Sequence, residues 1–217
     1  FSHLVVFIDI SDIVDEAIYY VYDEASKSVK SKKHEIENKI KNLSLKKKIS
    51  IFLDDNLRIT FTLIKYFDDK ILDRILPKSQ NDYINYFVSK EFVRDKWTIH
   101  EDIQNEYKIG IQRSINYMTQ LKNILDQNGI KLTVVVYPWV SQIYYDDLES
   151  IQVKIWREFS KKNNNQFINL FPAFINSKNK DLDIYKKIEK NFIPYDIHWN
   201  KNGSQKVFRY FIKNFKY

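Results

Sequence analysis

Three features of this 217-residue sequence predict an α/β protein, three-layered, with a mostly parallel sheet flanked by helices. Two apolar, β-branched runs, Leu4 to Ile10 and Leu132 to Tyr137, end in polar or turn residues, as buried parallel strands do. Stretches with helical hydrophobic spacing alternate with these and other short apolar runs, giving strand, helical block, strand, helix, strand, helix, loop, helix. With only three Gly and four Pro, long helices are favoured over a turn-rich β architecture.

Leu4 to Ile10 reads as the first strand, and Ser11 to Glu16 turns out of it into a helix whose first turn carries acids, where the helix dipole favours them. Residues 28 to 48 are highly charged and are expected to be helical with exposed faces. Ile51, Phe52, Ile59, Leu63, Ile64, Phe67, Ile71 and Ile75 recur at helical spacing, predicting one or two amphipathic helices that Pro77 stops. Residues 78 to 100 are aperiodic and read as an irregular connection. From about Glu101 to Gln127 a continuous stripe through Ile103, Tyr107, Ile111, Ile115, Met118, Leu121, Ile124 and Leu125 predicts a long helix, ended by Asn128-Gly129. Ile130 to Tyr137 is the second strand, broken by Pro138-Trp139. Ile151 to Lys162 reads as helix and Gln166 to Leu170 as a short strand, after which Pro172 leads into an irregular helix. No Pro-, Gly- or Ser-rich linker divides the chain, so residues 1–217 read as one domain in which about 28 to 100 form a helical insertion.

The formal charge of +7 could serve a polyanionic partner, but the lysines are scattered, and the densest runs, Lys27 to Lys33 and Lys46 to Lys48, flank predicted helices without interleaved aromatics. A solvated face explains them, and no nucleic acid partner is expected. The absence of cysteine excludes disulfides, thiolate metal sites and cysteine nucleophiles. His3, His34 and His100 have no partners at metal-ligand spacing, and no Gly-rich phosphate loop is present, so neither metal nor nucleotide cofactor is expected. The chain begins with Phe1 and runs almost at once into a strand. The numbered sequence is therefore read as lacking its native start, which leaves room upstream for a targeting segment or a membrane anchor.

The chemistry concentrates in Asp196-Ile197-His198-Trp199-Asn200-Lys201-Asn202-Gly203, just ahead of the amphipathic stretch Val207, Phe208, Tyr210, Phe211 and Phe215. A carboxylate two residues before an imidazole can fix its tautomer and steady the imidazolium formed when it takes a proton. The same residues would also serve as a capped loop with a surface histidine. Trp139, just after a strand, offers either a flat face for a sugar ring or an anchor at the core edge, while Trp199 reads chiefly as packing for the loop. Acids such as Asp15 and Glu16 at a helix start need no function to explain them.

Asp196, Ile197, His198, Trp199, Asn200 and Gly203 resemble the Asp-x-His-Trp-(Asn/Thr)-x-x-Gly form of the last block of the SGNH hydrolases, also called GDSL hydrolases, especially in relatives of alginate O-acetylation proteins. The resemblance implies an SGNH-like α/β domain in which Asp196 orients the imidazole and His198 is the general base. Val5 to Asp12 resembles the strand bearing the family's Gly-x-Asn-Asp block, with Asp9 replacing the Gly, Ser11 the oxyanion-hole Asn, and Asp12 keeping the Asp. On that alignment the Gly-Asp-Ser nucleophile block lies upstream of Phe1, and a Ser in place of the Asn donor weakens oxyanion stabilisation, where losing a donor costs roughly 100 to 1,000-fold in rate. A second alignment makes Leu4 to Ile10 the family's first strand and Ser11 the nucleophile. Both remain open. The function implied is an O-acyl esterase or O-acyltransferase acting on an acylated carbohydrate or cell-envelope glycan, with Trp139, Trp199 and Asn200 as substrate-side candidates and the periplasm or envelope as location. The alternative is a non-catalytic SGNH-like module that binds glycan or protein.

Overall fold

The computed structural model of the protein describes residues 1–23, 25–31, 95–99, 107–145, 148–175, 184–193 and 196–217. The chain divides into two compact units, Phe1–Ile18 with Gln80–Tyr217, and Tyr19–Ser79.

In the first unit, β1 (His3–Ile8) leads into α1 (Ile10–Val14), which continues as a π-helical turn, Asp15–Tyr19. The strand ends two residues before the expected Ile10 because Asp9 caps the helix. Its carboxylate accepts from Ser11 N while Asp12 accepts from Asp9 N, a reciprocal capping box that satisfies two helix-end donors.

The described part of the second unit is a hairpin, β2 (Tyr20–Asp23) paired antiparallel with β3 (Ser28–Ser31). Here the expected helix over residues 28 to 48 is corrected at its start. Asp23 accepts from Ala25 N, Lys27 takes a left-handed φ of 48°, and Lys30 pairs with Asp23, so local turn chemistry closes a hairpin. The rest of that expected helix, and the helices expected around Ile51 to Ile75, lie outside the described residues.

Returning to the first unit, residues 95–99, expected to be irregular, contain a one-turn helix, α2 (Lys96–Ile99). The long helix α3 (Lys108–Gln127) begins after Tyr107, and Gly129 at φ 66° lets the chain turn back from its end. Then follow β4 (Lys131–Val136), α4 (Val140–Tyr145), α5 (Ile151–Lys162), β5 (Gln166–Asn169), α6 (Phe171–Phe174), α7 (Ile184–Asn191) and α8 (Lys201–Asn214).

The sheet is parallel in the order β1-β4-β5, with Val6 opposite Val134 and Val135 opposite Ile168. Alternation along β4 separates two apolar layers. Leu132, Val134 and Val136 join a core with Ile13, Met118, Val153 and Trp156 from α1, α3 and α5. Val135 points into the opposite core with Ile143, Ile188, Phe192 and Val207 from α4, α7, α8 and the chain after α7. Val134, Val135 and Val136 are each 0 % exposed, so the strand is buried on both faces, which is why it reads as an unbroken apolar run. At the N-terminal end of the sheet the His3 Nε2, Thr133 Oγ1 and Gln166 Oε1 atoms form a polar ladder across all three strands, at 2.7 and 3.0 Å.

A second buried polar set holds α2 in place. Trp97 Nε1 donates to Ile10 O, Ser141 donates to the Asp95 carboxylate, and Gln142 joins Gln152, whose amide reaches Ile8 O. These side chains are almost wholly buried, so each bond replaces water that the groups have lost. Between α1 and α3, Gly110 lies so near the Ile13 carbonyl and Ala17 that a Cβ there would overlap both.

Gly110→Ala is therefore expected to destabilise the protein by about 1 to 3 kcal/mol through overpacking. Gly129→Ala meets nothing within 4 Å and should lose about 1 kcal/mol from its left-handed backbone alone. Urea unfolding midpoints of the two variants rank the effects.

Candidate functional site

The loop joining α7 to α8 is closed by main-chain bonds before any side chain is considered. Phe192 and Trp199 form an antiparallel bridge, Ile193 N donates to His198 O, Asp196 N to Ile193 O, and Asn200 N to Asn191 O. Asn200 then works in two directions. Its Oδ1 accepts from Asn202 N and Gly203 N, capping α8, while its Nδ2 donates to Lys190 O and Phe192 O, both at 3.0 Å, tying down carbonyls at the end of α7. A Cβ at Gly203 would strike the Asn191 carbonyl oxygen and crowd Trp199, so the Asn-x-x-Gly spacing is a requirement of close helix-to-loop packing. Trp199 seats the loop on the core, stacked on Phe174 with centroids 6.3 Å apart and edge-on to Tyr137 at 4.9 Å.

On this frame His198 Nδ1 lies 2.5 Å from Asp196 Oδ1, and the same oxygen accepts the His198 main-chain N–H at 3.1 Å. The carboxylate fixes the ring with Nδ1–H toward Asp196, which leaves Nε2 as the basic edge. The imidazole is 74 % exposed. Partial burial pushes the Asp196 carboxyl up, but the hydrogen bonds from the imidazole and from the His198 and Ile197 N–H groups, with the histidine's charge, outweigh it and hold it below the usual carboxylate range. No described residue hydrogen-bonds Nε2.

A second constellation stands where β1 and β4 end. Asp9 Oδ2 accepts from Tyr137 OH at 2.5 Å and from Trp139 Nε1 at 3.0 Å, while Oδ1 accepts from Ser11 N at 2.7 Å. Tyr137 links this hub to the loop through its contact with Trp199. Burial and the neighbouring Asp9 charge raise the Tyr137 phenol far above its ordinary value, so it acts as a hydrogen-bond donor. Asp12 is exposed as a residue, yet protein packed around its carboxyl and the charges of Asp9, Asp15 and Glu16 prevail over a lowering bond from Asp9 N–H, raising it from 3.8 to about 6. Burial likewise raises Glu16.

The remaining sequence candidates fall as follows. Ser11 is 8 % exposed in the first turn of α1, and no hydrogen bond joins it to His198. Trp139 is 3 % exposed and donates to Asp9, so its ring is a core anchor with no open face. Trp199 and Asn200 shape the loop. The Asp9–Tyr137–Trp139 hub was not among the expected site groups; the strand ends that supply it were visible, but the pairings between them were not. Among the described residues there is no group of three or more His, Asp or Glu that could hold a metal ion, and no helix is long and apolar enough to cross a membrane. No protein-family model, curated protein or solved structure matches the chain.

Removing the clamp by Asn200→Ala is expected to cost about 1 to 2 kcal/mol in urea unfolding. Asn200→Asp, which keeps the cap acceptor and loses the donor, should recover part of it. The two carboxyls give opposite pH signatures. Asp12 binds its proton more tightly when folded, so its contribution is present below about pH 4 and declines as pH rises toward 6. Asp196 contributes above its ordinary range, and its share is lost as pH falls through the lower folded value. Carboxyl 13C shifts followed by NMR should place the Asp12 midpoint near 6 and that of Asp196 below the usual range.

Proposed function

We propose that the protein is an SGNH-type O-acyl esterase or O-acyltransferase acting on an acylated carbohydrate or cell-envelope glycan. The observation that carries this reading is the Asp196–His198 pair: an imidazole fixed through Nδ1 at 2.5 Å, presented with Nε2 outward on a loop clamped at both ends. The spacing and surroundings of that loop resemble the last SGNH block residue by residue, with Trp199, Asn200 and Gly203 occupying positions whose packing demands those side chains.

In this mechanism His198 Nε2 takes the proton of a serine hydroxyl as its oxygen bonds to the acyl carbon. The tetrahedral intermediate expels the sugar oxygen, which leaves with the proton from Nε2, and the acyl-serine forms. Water or a second sugar hydroxyl then gives its proton to Nε2 and attacks the acyl carbon, and the serine oxygen leaves with that proton from Nε2, restoring the free hydroxyl and the neutral imidazole. Asp196 stays ionised throughout and stabilises the imidazolium. The serine is either Ser11 or one from a block upstream of Phe1.

One observation favours the second reading, a non-catalytic glycan- or protein-binding module: Ser11 is buried and is not hydrogen-bonded to His198. Hydrolysis of 4-nitrophenyl acetate and release of acetate from an acetylated glycan, measured on the protein expressed from its whole gene, separate the two. His198→Ala is expected to fall to the uncatalysed background and Asp196→Asn to lose about 1,000 to 10,000-fold in kcat. Wild type and His198→Ala with equal rates would overturn the enzyme reading.

A further inference from the structure

β1 is an edge of the parallel sheet, and among the described residues no strand pairs with its outer side. Lys131 N donates to Ser2 O, which sets the parity of the strand: the main-chain groups of Leu4 and Val6 face β4, and those of His3, Val5 and Phe7 face outward. Natural sheets guard such an edge with a Lys, a Pro or a bulge, or cover it. The His-Leu-Val-Val-Phe-Ile strand contains neither Lys nor Pro, and its register with β4 is unbroken.

The side chains of the outward residues continue an apolar surface. The Phe7 ring lies 5.8 Å from Phe211, Phe211 stacks on Phe215 at 5.1 Å, and Phe215 meets His3 at 4.9 Å, so a row of rings follows the strand from end to end. On α8, Phe208 and Ile212 stand one turn apart beside Phe211, while Lys206, Arg209 and Lys213 line the opposite flank toward α7. Phe7, Phe208 and Ile212 are 42, 64 and 55 % exposed, and Tyr217, in contact with Phe215, is exposed too. Together they offer roughly 500 Å² of aromatic and aliphatic area, far more than a single surface side chain.

We propose that this edge is a dimer interface, in which β1 pairs antiparallel with β1 of a second copy about a two-fold axis through Val5. That register sets Val5 opposite the partner's Val5 and His3 opposite the partner's Phe7. Outward N–H and C=O groups then meet outward groups along the strand, and the two sheets join into one. The uncovered surface lies on α8 as well as on β1, which selects a second copy over an extended peptide. A lone strand would satisfy the main chain and leave Phe208 and Ile212 in water, whereas the two-fold brings each α8 flank against its like. Charge agrees: a chain of net charge +7 approaches its own copy most readily across a face where Phe7, Phe208, Phe211 and Ile212 carry none. Two copies bring together about 1,000 Å² of these side chains, the size at which a contact becomes specific, so the dimer is reversible.

Sedimentation equilibrium of the protein over a range of concentrations tests this, and a Kd on the order of 10 µM is expected. Phe7→Lys, which gives the edge a guarding charge, and Phe208→Lys with Ile212→Lys should each weaken dimerisation at least about 10-fold. Ile109→Lys with Ile124→Lys removes exposed apolar side chains from α3 and should leave it unchanged. Circular dichroism spectra matching wild type show that each variant is folded. The chain has no cysteine, so a single one reports the register: Val5→Cys is expected to oxidise to a disulfide-linked dimer, and Val6→Cys, on the other face of the sheet and off the axis, is not. A monomer at about 100 µM would overturn the proposal, and is the result expected if a peptide or a different protein occupies the edge. Equal dimerisation of the edge and control variants, or failure of Val5→Cys to cross-link more than Val6→Cys, would overturn it too.

Discussion

Burial of β4 on both faces is the constraint from which the arrangement of the first unit follows. A strand with Val134, Val135 and Val136 fully removed from water needs helices above and below it, and a parallel neighbour on each edge to satisfy its main chain. Parallel pairing in turn brings the C-terminal ends of β1 and β4 side by side. Asp9 and Tyr137 meet there because the sheet leaves them no other place, and the α7–α8 loop reaches the same end through Trp199. Burial of apolar strands thus locates the polar chemistry.

The loop shows how few side chains are needed to hold an exposed imidazole still. His198 is mostly in solvent, where a surface ion pair by itself contributes little. Its orientation comes instead from main-chain bonds on either side and from Asn200, which satisfies donors at the start of one helix and carbonyls at the end of another. Trp199 supplies the apolar anchor that keeps this short segment against the core. Order in an exposed loop is obtained from its ends.

The sequence made the parallel strands and the larger helices legible for a physical reason: elements buried along a continuous face carry a long, regular pattern. Ile151–Lys162 matches its expected bounds, and α8 begins at the residue after its Asn cap. Short elements were not legible. One turn of helix at Lys96–Ile99 and six residues at Val140–Tyr145 are too brief to show a period, and the β2–β3 hairpin depends on turn conformations at Ala25 and Lys27 that a charged stretch conceals. The dyad was visible because its members are two residues apart. The Asp9 hub was not, since its side-chain donors Tyr137 and Trp139 lie 128 and 130 residues away and only the β1–β4 register brings them together.

The His3–Thr133–Gln166 ladder has an implication for how the sheet assembles. Apolar strands alone are poor at distinguishing neighbouring alignments, since one valine beside another is much like the next. In this register His3 lies opposite Lys131 and its Nε2 reaches the Thr133 hydroxyl diagonally, so shifting β1 by a single residue would turn the imidazole to the other face of the sheet and cost that bond. Three polar side chains therefore give the sheet a form of proofreading: they contribute little to the driving force for collapse, and much to rejecting the mis-threaded alternatives that collapse would otherwise accept.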